Sequence, residues 1–364
     1  SECRHKLVDA IAEAWGGLAR PCLLHVPGAR AVRACPTYEE MNTVQPSSYV
    51  YVGGPLELSP PYPHHVTATL LCAPDGGVKW VTDGAYASLP AFHLDLGGAC
   101  PPPGPTGSTA VQGGPRILRR CRTIKTQAEI ACIAFAVDVT RRALRCVEAY
   151  VRSHWARGTP VTEIEVAKAF EFAAAKRGGG VAPLAFPTIV STGAGCAGDT
   201  VELHPAPAAR AVPPGAPVVV DAGCRCRGYC ADITVTLGCD TEPWRKLHQS
   251  LAAAVAAVVA FLQVNESLAD VEVFAKREME NVLRDNGLPH NQLHVLMPHL
   301  AVHHLGLDTH DFCDDSMPLA PGMVLAVELG VYIPNDTEYP PFPRGGVRVE
   351  TDVVLEAGGA RELP

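Results

Sequence analysis

The 364-residue chain contains 47% apolar and 19% charged residues, a balance typical of a soluble globular protein with room for two domains. Its 30 basic and 38 acidic residues give a net charge of −8, and no stripe of lysine and arginine predicts a nucleic-acid partner or binding to an anionic membrane. The longest apolar run, at 251–262, has 12 residues, fewer than the roughly 20 of a transmembrane helix, so we expect no membrane span.

The N-terminal sequence SECRHKLVDAIAEAWGG lacks the apolar core and the A-x-A site of a signal peptide. The 14 cysteines lack the dense spacing of a disulfide scaffold, so we expect reduced thiols in a cytoplasmic protein. Cys224, Cys226 and Cys230 form a C-x-C-x3-C pattern, which a zinc-thiolate site would also produce. Because no fourth soft ligand has matching spacing, placement on a strand and its turn is the favoured interpretation.

The N-terminal third of the chain predicts a domain of its own. Residues 7–83 alternate short apolar runs with Pro/Gly turns, which is typical of a small α/β domain with a twisted sheet. Residues 97–116, GGACPPPGPTGSTAVQGGPR, have the composition of a linker or long loop. We therefore predict an N-terminal α/β domain over residues 1–115 and a second domain over residues 116–364.

In the second domain, a long amphipathic helix is predicted to begin near Thr126. Thr162 and Glu165 form a capping-box pattern, and Gly178 is placed to end the helix that follows it. Further helices are predicted at 243–263 and 268–286. Strands are predicted at 184–192, 217–224, 229–237, 323–333 and 346–355. This order predicts an α+β fold, with helices packed on one face of a mainly antiparallel sheet built from hairpins.

Two aspartates interrupt strand-like sequence in VVVDAGCRCRGYCADITVTLG, residues 218–238. A two-residue turn at Cys226 and Arg227 would place Asp221 directly opposite Asp232 on one face of a hairpin. Like charges in that position destabilise a sheet. We therefore expect either a shared proton or a cation between the two carboxylates. A turn displaced by one residue would make the pair diagonal and weaken this expectation.

Acidic residues recur in two apolar strands near the C-terminus, Glu328 in MVLAVELGVY and Glu350 in GGVRVETDVVL. The segment between the two acidic pairs, MPHLAVHHLGLDTHD, supplies four histidines. Four carboxylates and an imidazole form an oxygen-rich ligand set that suits Mn²⁺ or a similar divalent ion. Because five protein ligands exceed the need of one catalytic ion, the sequence predicts two ions about 3.5–4 Å apart with shared carboxylates.

In order and approximate spacing, these four segments resemble the metal-binding segments of the pita-bread metallopeptidases. Within that family they resemble the proline-specific branch, prolidase (Xaa-Pro dipeptidase) and aminopeptidase P. RTIKTQAEIACI at 122–133 is similar to the segment that opens the family's catalytic domain, and VQPSSYVYVGG at 44–54 to part of its N-terminal domain. The resemblance implies a C-terminal pita-bread (creatinase/aminopeptidase-like) domain preceded by a smaller creatinase-like α/β domain.

The resemblance also implies a ligand set. Asp221 would bind one ion, Asp232 and Glu350 would bridge both ions, and His303 with Glu328 would bind the second ion. The expected ions are Mn²⁺, with Co²⁺ or Zn²⁺ as alternatives.

Histidine positions follow the family pattern as well. The resemblance selects His303 over His304, because the family ligand stands three residues before a glycine, here Gly306, and seven before a second histidine, here His310. His204, after the strand FPTIVSTG, occupies the place of a further family histidine. His204 and His310 would contact the substrate and the tetrahedral intermediate.

The implied function is a dinuclear-metal dipeptidase that hydrolyses Xaa-Pro dipeptides through a metal-bridging hydroxide, with Glu328 transferring the proton. Arg348 shares a strand face with Glu350 and either pairs with a bridging carboxylate, which we favour, or binds a substrate carboxylate. The resemblance suggests a homodimer. The alternatives are aminopeptidase P acting on longer Xaa-Pro peptides, a non-catalytic pita-bread protein that binds protein or nucleic acid, and a metal-free creatinase-like hydrolase.

Some positions depart from the family pattern. Leu329 replaces the usual proline, Thr351 an acidic residue, and Val302 a small residue, with His304 as an additional histidine. None of these changes removes a predicted ligand, so we expect them to reshape the pocket.

Overall fold

The structure is a computed structural model that describes two parts of the chain. In the N-terminal part it describes three strands, and beyond them it describes residues 122–178, 184–193, 205–264, 266–311, 313, 317–333 and 339–364. Contacts divide the chain into two compact units, the second of which includes residues 127–311 and 315–364. The predicted linker at 97–116 lies outside the described residues, and the domain boundary at 115/116 stays a prediction.

The three N-terminal strands, β1 (Cys22–Ala29), β2 (Val66–Cys72) and β3 (Val78–Thr82), form an antiparallel sheet in chain order. They belong to the first unit. Their order agrees with the short alternating apolar runs of this region.

Helices of the second unit begin and end close to the predicted positions. They are α1 (Gln127–Arg157), α2 (Glu163–Arg177), α3 (Trp244–Phe261), α4 (Leu268–Asp285) and the single turn α5 (Leu293–Leu296). The capping box of Thr162 and Glu165 is confirmed, and Gly178 ends α2. Ser267 and Asp270 form a second capping box at the start of α4. Within the described helices, none combines the length and apolarity that a membrane crossing requires.

Antiparallel strands of the second unit form two sheets and a small hairpin. They are β4 (Ile189–Thr192), β5 (Val218–Ala222), β6 (Arg225–Cys226), β7 (Tyr229–Cys230), β8 (Ile233–Leu237), β9 (Val302–His304), β10 (Val324–Ile333), β11 (Gly345–Glu356) and β12 (Gly359–Glu362). The sheet orders are β4-β5-β8 and β12-β11-β10-β9, with β6 and β7 paired by themselves. Strand β8 contacts β11, so the two sheets lie side by side. Helix α1 packs against α2 and the hairpin, and α3 packs on β10 and β11.

The predicted strand at 184–192 is shorter than expected. Only Ile189–Thr192 forms a strand, and Leu184 makes an isolated bridge to Cys224. Pro187 between them has no backbone N–H to donate to a ladder, which accounts for the interruption.

Candidate metal centre

Four acidic side chains converge from strands of both sheets. Asp221 lies on β5 and Asp232 directly precedes β8, whereas Glu328 lies on β10 and Glu350 on β11. Asp221, Asp232 and Glu350 are each at most 6% exposed. Glu328 and Glu350 are direct cross-strand partners. Because like charges in that position destabilise a sheet, the cluster requires compensating charge.

The predicted turn of the aspartate hairpin is wrong by one residue, which shifts the strand register by two residues. Strand β5 pairs with β8 so that Asp221 lies opposite Thr234, and the turn is centred on Arg227 and Gly228, with φ of 50° and 92°. Two successive positive φ values define the turn that best matches the strand twist, and glycine at the second position allows it. Asp221 and Asp232 are therefore diagonal neighbours on one face.

The five predicted ligands, together with His310, fall into three overlapping groups in which the ligating atoms lie within 4.8 Å of one another. The groups are Asp221, Asp232 and Glu350; His303, Glu328 and Glu350; and Asp232, His303 and His310. Among the described residues, these are the groups of three or more side chains that could hold a metal ion. Asp232, His303 and Glu350 each belong to two groups, so the three groups are close enough together for neighbouring ions with shared carboxylates.

The ring of His303 is aimed into this cluster. Its Nε2 lies 3.6 Å from Asp232 Oδ2, 3.7 Å from Glu328 Oε1 and 3.9 Å from Glu350 Oε1, and it has no hydrogen-bond partner in the described structure. Its Nδ1 lies 3.1 Å from the carbonyl oxygen of His304 and donates to it. This bond leaves a lone pair on Nε2, directed at carboxylate oxygens. A divalent cation among these atoms would accept electron pairs from both the imidazole nitrogen and the carboxylate oxygens. The residues present therefore fit a divalent metal ion.

Electrostatics of the metal-free cluster point the same way. Burial, reinforced by the charges of Glu350 and Asp221, raises the pKa of Asp232 well above its ordinary value. Burial likewise raises the pKa of Glu350, with the charges of Glu328 and Asp221 adding to the effect and Arg348 opposing it. Carboxylates that repel one another in this way hold protons until a cation replaces them.

Glu328 differs from the other three carboxylates. Its side chain is 15% exposed, the largest value of the four, so it faces the open side of the cluster. Burial acts to raise its pKa, but the neighbouring His299, His303 and Arg348 outweigh burial and lower the pKa to about 2. Glu328 is therefore ionised near neutral pH.

Arg348 is buried beside the cluster, and each of its three nitrogens donates a hydrogen bond. Its Nη2 donates to Asp221 Oδ2 at 2.5 Å, its Nη1 to the Tyr332 hydroxyl at 3.1 Å, and its Nε to Thr234 Oγ1 at 3.0 Å. The structure thus pairs Arg348 with Asp221, not with Asp232 or Glu350, the two carboxylates expected to bridge the ions. A role for Arg348 in substrate binding stays a prediction.

His299 and Tyr332 form a polar chain that the sequence analysis did not predict. His299 Nδ1 donates to the Leu300 carbonyl oxygen at 2.8 Å, its Nε2 lies 3.0 Å from the Tyr332 hydroxyl, and its Nδ1 is 3.7 Å from Glu328 Oε2. Burial lowers the pKa of His299, although the charge of Glu328 opposes this effect. The signal available in the sequence was His299 in MPHLAVHH, four residues before His303.

Other supporting residues also escaped the sequence analysis. Thr234 Oγ1 donates to Glu350 Oε2 at 2.7 Å, and Asp352 Oδ2 accepts from the backbone N–H of Asp232 at 2.9 Å. Glu272 on α4 accepts from the backbone N–H groups of Ala301 and Val302 at 2.8 and 2.9 Å, which anchors the entry to β9. These contacts orient the ligands, as outer partners of a metal site commonly do.

The remaining predicted histidines lie in different positions. His310 is exposed, and its ring is perpendicular to that of His303 with centroids 4.4 Å apart, so it borders the open side of the cluster. His304 is buried, on the strand face opposite to His303. His204 lies outside the described residues.

Comparisons with known proteins agree with this site. The profile of metallopeptidase family M24 matches residues 131–357. Xaa-Pro aminopeptidase 3 of Rattus norvegicus is 31% identical over 264 residues, which cover 69% of this chain and 50% of that protein. Xaa-Pro aminopeptidase of Escherichia coli is 33% identical over 163 residues, 40% of this chain and 37% of the relative. The chain spans about half the length of the first relative.

Solved structures show the same architecture. The low-pH form of Escherichia coli aminopeptidase P has a TM-score of 0.62 at 27% identity, over 70% of this chain and 59% of that chain. Prolidase from Pyrococcus furiosus has a TM-score of 0.56 at 24% identity, over 68% of this chain and 67% of that chain. This similarity supports the fold only.

Fold and ligand set together define a metallopeptidase-type protein with the pita-bread architecture. The chain belongs to metallopeptidase family M24. The predicted family and α+β pita-bread fold class are thereby confirmed.

Proposed function

We propose that the chain carries the catalytic domain of a dinuclear metallopeptidase that cleaves the bond between an N-terminal residue and a following proline. The observation that carries this proposal is the unpartnered Nε2 of His303, held 3.6–3.9 Å from oxygens of three carboxylates. A non-catalytic binding protein would have no need of this costly arrangement. A metal-free creatinase-like hydrolase would leave the carboxylate cluster unexplained.

Five residues would hold the two ions. Asp221, Asp232 and Glu350 would bind one ion, and His303 and Glu328 would bind the second ion together with Glu350, which belongs to both of these ligand groups. Asp232 lies within reach of His303 in a further group and is proposed as the second bridging carboxylate. The oxygen-rich set favours Mn²⁺, with Co²⁺ or Zn²⁺ as alternatives. When bound, such ions lower the pKa of a water molecule and polarise the scissile carbonyl.

The chain's own groups would move the protons. Glu328, the most exposed of the four carboxylates, takes a proton from the attacking water and delivers it to the proline nitrogen as the peptide bond breaks. His310 lies beside His303 on the open side, where its ring donates a hydrogen bond to the oxyanion. His204 is proposed for the same substrate region. Arg348 holds Asp221 in place, and its charge opposes the increase in the pKa of Asp221 that burial causes.

Aminopeptidase activity on longer peptides is better supported than dipeptidase activity. Three relatives, from rat, human and mouse, that are 30–31% identical over 66–69% of this chain are named Xaa-Pro aminopeptidase 3. Xaa-Pro dipeptidase, the activity first inferred from the sequence, is the second candidate, since the segment MPHLAVHHLGLDTHD resembles that of prolidase. We also propose a homodimer in the cytoplasm, which light scattering and cell fractionation test.

A substrate comparison tests the proposal. The Mn²⁺-loaded protein is incubated with Ala-Pro, Ala-Pro-Ala and, as a matched control, Ala-Ala-Ala, and released alanine is measured. We expect release from Ala-Pro-Ala, little from Ala-Pro and none from Ala-Ala-Ala. His303→Ala removes a ligand and should abolish release.

The outcomes separate the alternatives. Release from Ala-Pro alone would favour the dipeptidase. No release from any peptide by a folded, metal-loaded protein would overturn both activities. Equal release from Ala-Ala-Ala would remove proline specificity.

A further inference from the structure

A glutamate outside the ligand set approaches the metal centre from helix α4. Glu272 is half-buried, and one of its oxygens, Oε1, accepts from the backbone N–H of Ala301 at 2.8 Å and from that of Val302 at 2.9 Å. The groups of described residues that could hold a metal ion do not include Glu272. Its carboxylate therefore acts on the backbone and not on an ion.

The two peptide groups that Glu272 holds lie between two ligands of the proposed second ion. Val302 directly precedes His303 on β9. The carbonyl oxygen of Ala301 accepts from the backbone N–H of Glu328 at 2.9 Å. One carboxylate oxygen thus fixes the backbone from which His303 projects, and the same backbone holds the main chain of Glu328.

Strand β9 needs this support. It has three residues and lies at the end of its sheet, where it pairs only with β10 among the described strands. So short an edge strand has few ladder hydrogen bonds, and its remaining buried N–H groups need another acceptor. Metal ligands must be held within about 0.5 Å of their working positions, so a loosened β9 would misplace the ring of His303.

The acceptor oxygen matters more than the negative charge. Burial and the nearby charge of Glu328 raise the pKa of Glu272, whereas the N–H groups of Val302 and Ala301 and the charge of Lys276 act to lower it. A neutral side chain with an oxygen in the same place would keep both hydrogen bonds and avoid the repulsion from Glu328.

Given the proposed metallopeptidase function, on which this role rests, we propose that Glu272 is a positioning residue of the metal centre. Its Oε1 sets the placement of His303 relative to Glu328 through the peptide groups of Ala301 and Val302. Helix α4, which supplies none of the proposed ligands, thereby controls the geometry of two of them.

Three variants at one position test the proposal. Glu272→Ala removes the acceptor, Glu272→Asp keeps the charge but withdraws the oxygen by one methylene, and Glu272→Gln keeps an oxygen in place. Isothermal titration measures Mn²⁺ affinity, and amide hydrogen exchange in EDTA measures the protection of Ala301 and Val302. We expect affinity to fall about 10-fold in the alanine and aspartate variants, with faster exchange at both amides. The glutamine variant should match the unaltered protein in both measurements.

Ser267→Ala is the matched control for a general loss of stability. Ser267 Oγ accepts from the backbone N–H of Asp270 at 3.1 Å and caps the same helix. Its loss should lower the unfolding temperature by about 2–4 °C and leave Mn²⁺ affinity unchanged. If Glu272→Ala does not fold, the aspartate variant still removes the contact.

Several results would overturn the role of Glu272. These are unchanged Mn²⁺ affinity in the alanine or aspartate variant, a loss that glutamine shares, and an equal loss in Ser267→Ala. Failure of the proposed function gives a different result. A protein that binds Mn²⁺ but releases no alanine from Ala-Pro-Ala would overturn the peptidase activity, and the measured affinities would still decide the role of Glu272. A folded protein that binds no Mn²⁺ would overturn both.

Discussion

At the scale of single residues, one hydroxyl connects the charges of the metal centre. Thr234 Oγ1 donates to Glu350 Oε2 at 2.7 Å and accepts from Arg348 Nε at 3.0 Å. The same arginine holds Asp221. Thr234 thus links Glu350, a carboxylate proposed to bridge the ions, to Arg348, whose positive charge compensates that of Asp221. Hydrogen-bond partners of this kind hold buried carboxylates in the orientation that binds a metal ion. Buried charges that lack such partners destabilise the fold.

Replacement of this hydroxyl tests its importance. Thr234→Val keeps the shape of the side chain but removes a donor from Glu350 and an acceptor from Arg348. We expect Mn²⁺ affinity to fall about 10–100-fold. We also expect a loss of about 1–3 kcal/mol in the free energy of unfolding, because two buried groups lose a partner. Isothermal titration with Mn²⁺ and urea denaturation measure the two effects.

Thr236 provides the matched control. It is also buried on β8, but its hydroxyl exchanges hydrogen bonds only with the backbone of Arg348, at 2.8 and 3.0 Å. Thr236→Val should lower stability while leaving Mn²⁺ affinity nearly unchanged. Equal loss of affinity in both variants would mean that general destabilisation, not the contact to Glu350, sets metal binding.

At the scale of elements, local signals in the sequence were reliable and register was not. A capping box depends on residues three positions apart, so Thr162 and Glu165 could be recognised directly. The hairpin turn depends on which residues tolerate positive φ, and the choice between Cys226–Arg227 and Arg227–Gly228 shifts every partner.

The same limit explains which site residues were missed. The acidic residues stood out because carboxylates are unusual inside apolar strands. Thr234 and Tyr332 are ordinary strand residues, and only the register of β8, β10 and β11 shows that both reach Arg348. His303 was distinguished from His304 by the family pattern, and the structure aims the ring of His303 at the carboxylates.

A buried glutamate at the start of α2 fastens several elements together. Glu163 is fully buried, and its carboxylate accepts from the backbone N–H of Thr192 at 2.9 Å, from that of Ala208 at 3.0 Å and from Arg210 Nη1 at 2.8 Å. The Glu163 carboxylate therefore connects helix α2 to the end of β4 and to the chain that leads to β5. All three donors would lose their acceptor if this carboxylate were removed.

The variant Glu163→Gln should destabilise the fold by about 3 kcal/mol, because an amide donor then faces backbone donors and the Arg210 charge loses its partner. Glu165→Gln is the matched control, since this exposed neighbour keeps an acceptor for the capping box and should cost less than about 1 kcal/mol. Urea denaturation compares the two. Similar losses would show that Glu163 is no more important than a helix cap.

At the scale of the whole second unit, the metal centre joins two sheets that contribute opposite halves of the ligand set. Asp221 and Asp232 belong to the chain around β5 and β8, whereas His303, Glu328 and Glu350 belong to β9, β10 and β11. Without cations, the carboxylates repel one another once they lose their protons, and this repulsion opposes the contact between β8 and β11. Bound ions would convert that repulsion into a connection between the sheets, so metal should govern the stability of the unit.

This connection makes the effect of metal removal depend on pH. The pKa of Asp232 is raised by burial and by its acidic neighbours, so the metal-free folded state binds more protons than the unfolded chain above the ordinary value of 3.8. Metal-free stability must then fall as pH rises through the raised pKa. Metal binding requires the deprotonated ligands, so the stabilisation by Mn²⁺ grows over the same range. The difference between the unfolding temperatures in Mn²⁺ and in EDTA should therefore increase from about pH 5 to about pH 8.

Asp232→Asn removes the titrating charge and should unfold at a higher temperature than the unaltered protein in EDTA at the upper pH, while gaining little from Mn²⁺. A constant or shrinking difference in the unaltered protein would show that the carboxylates do not control its stability.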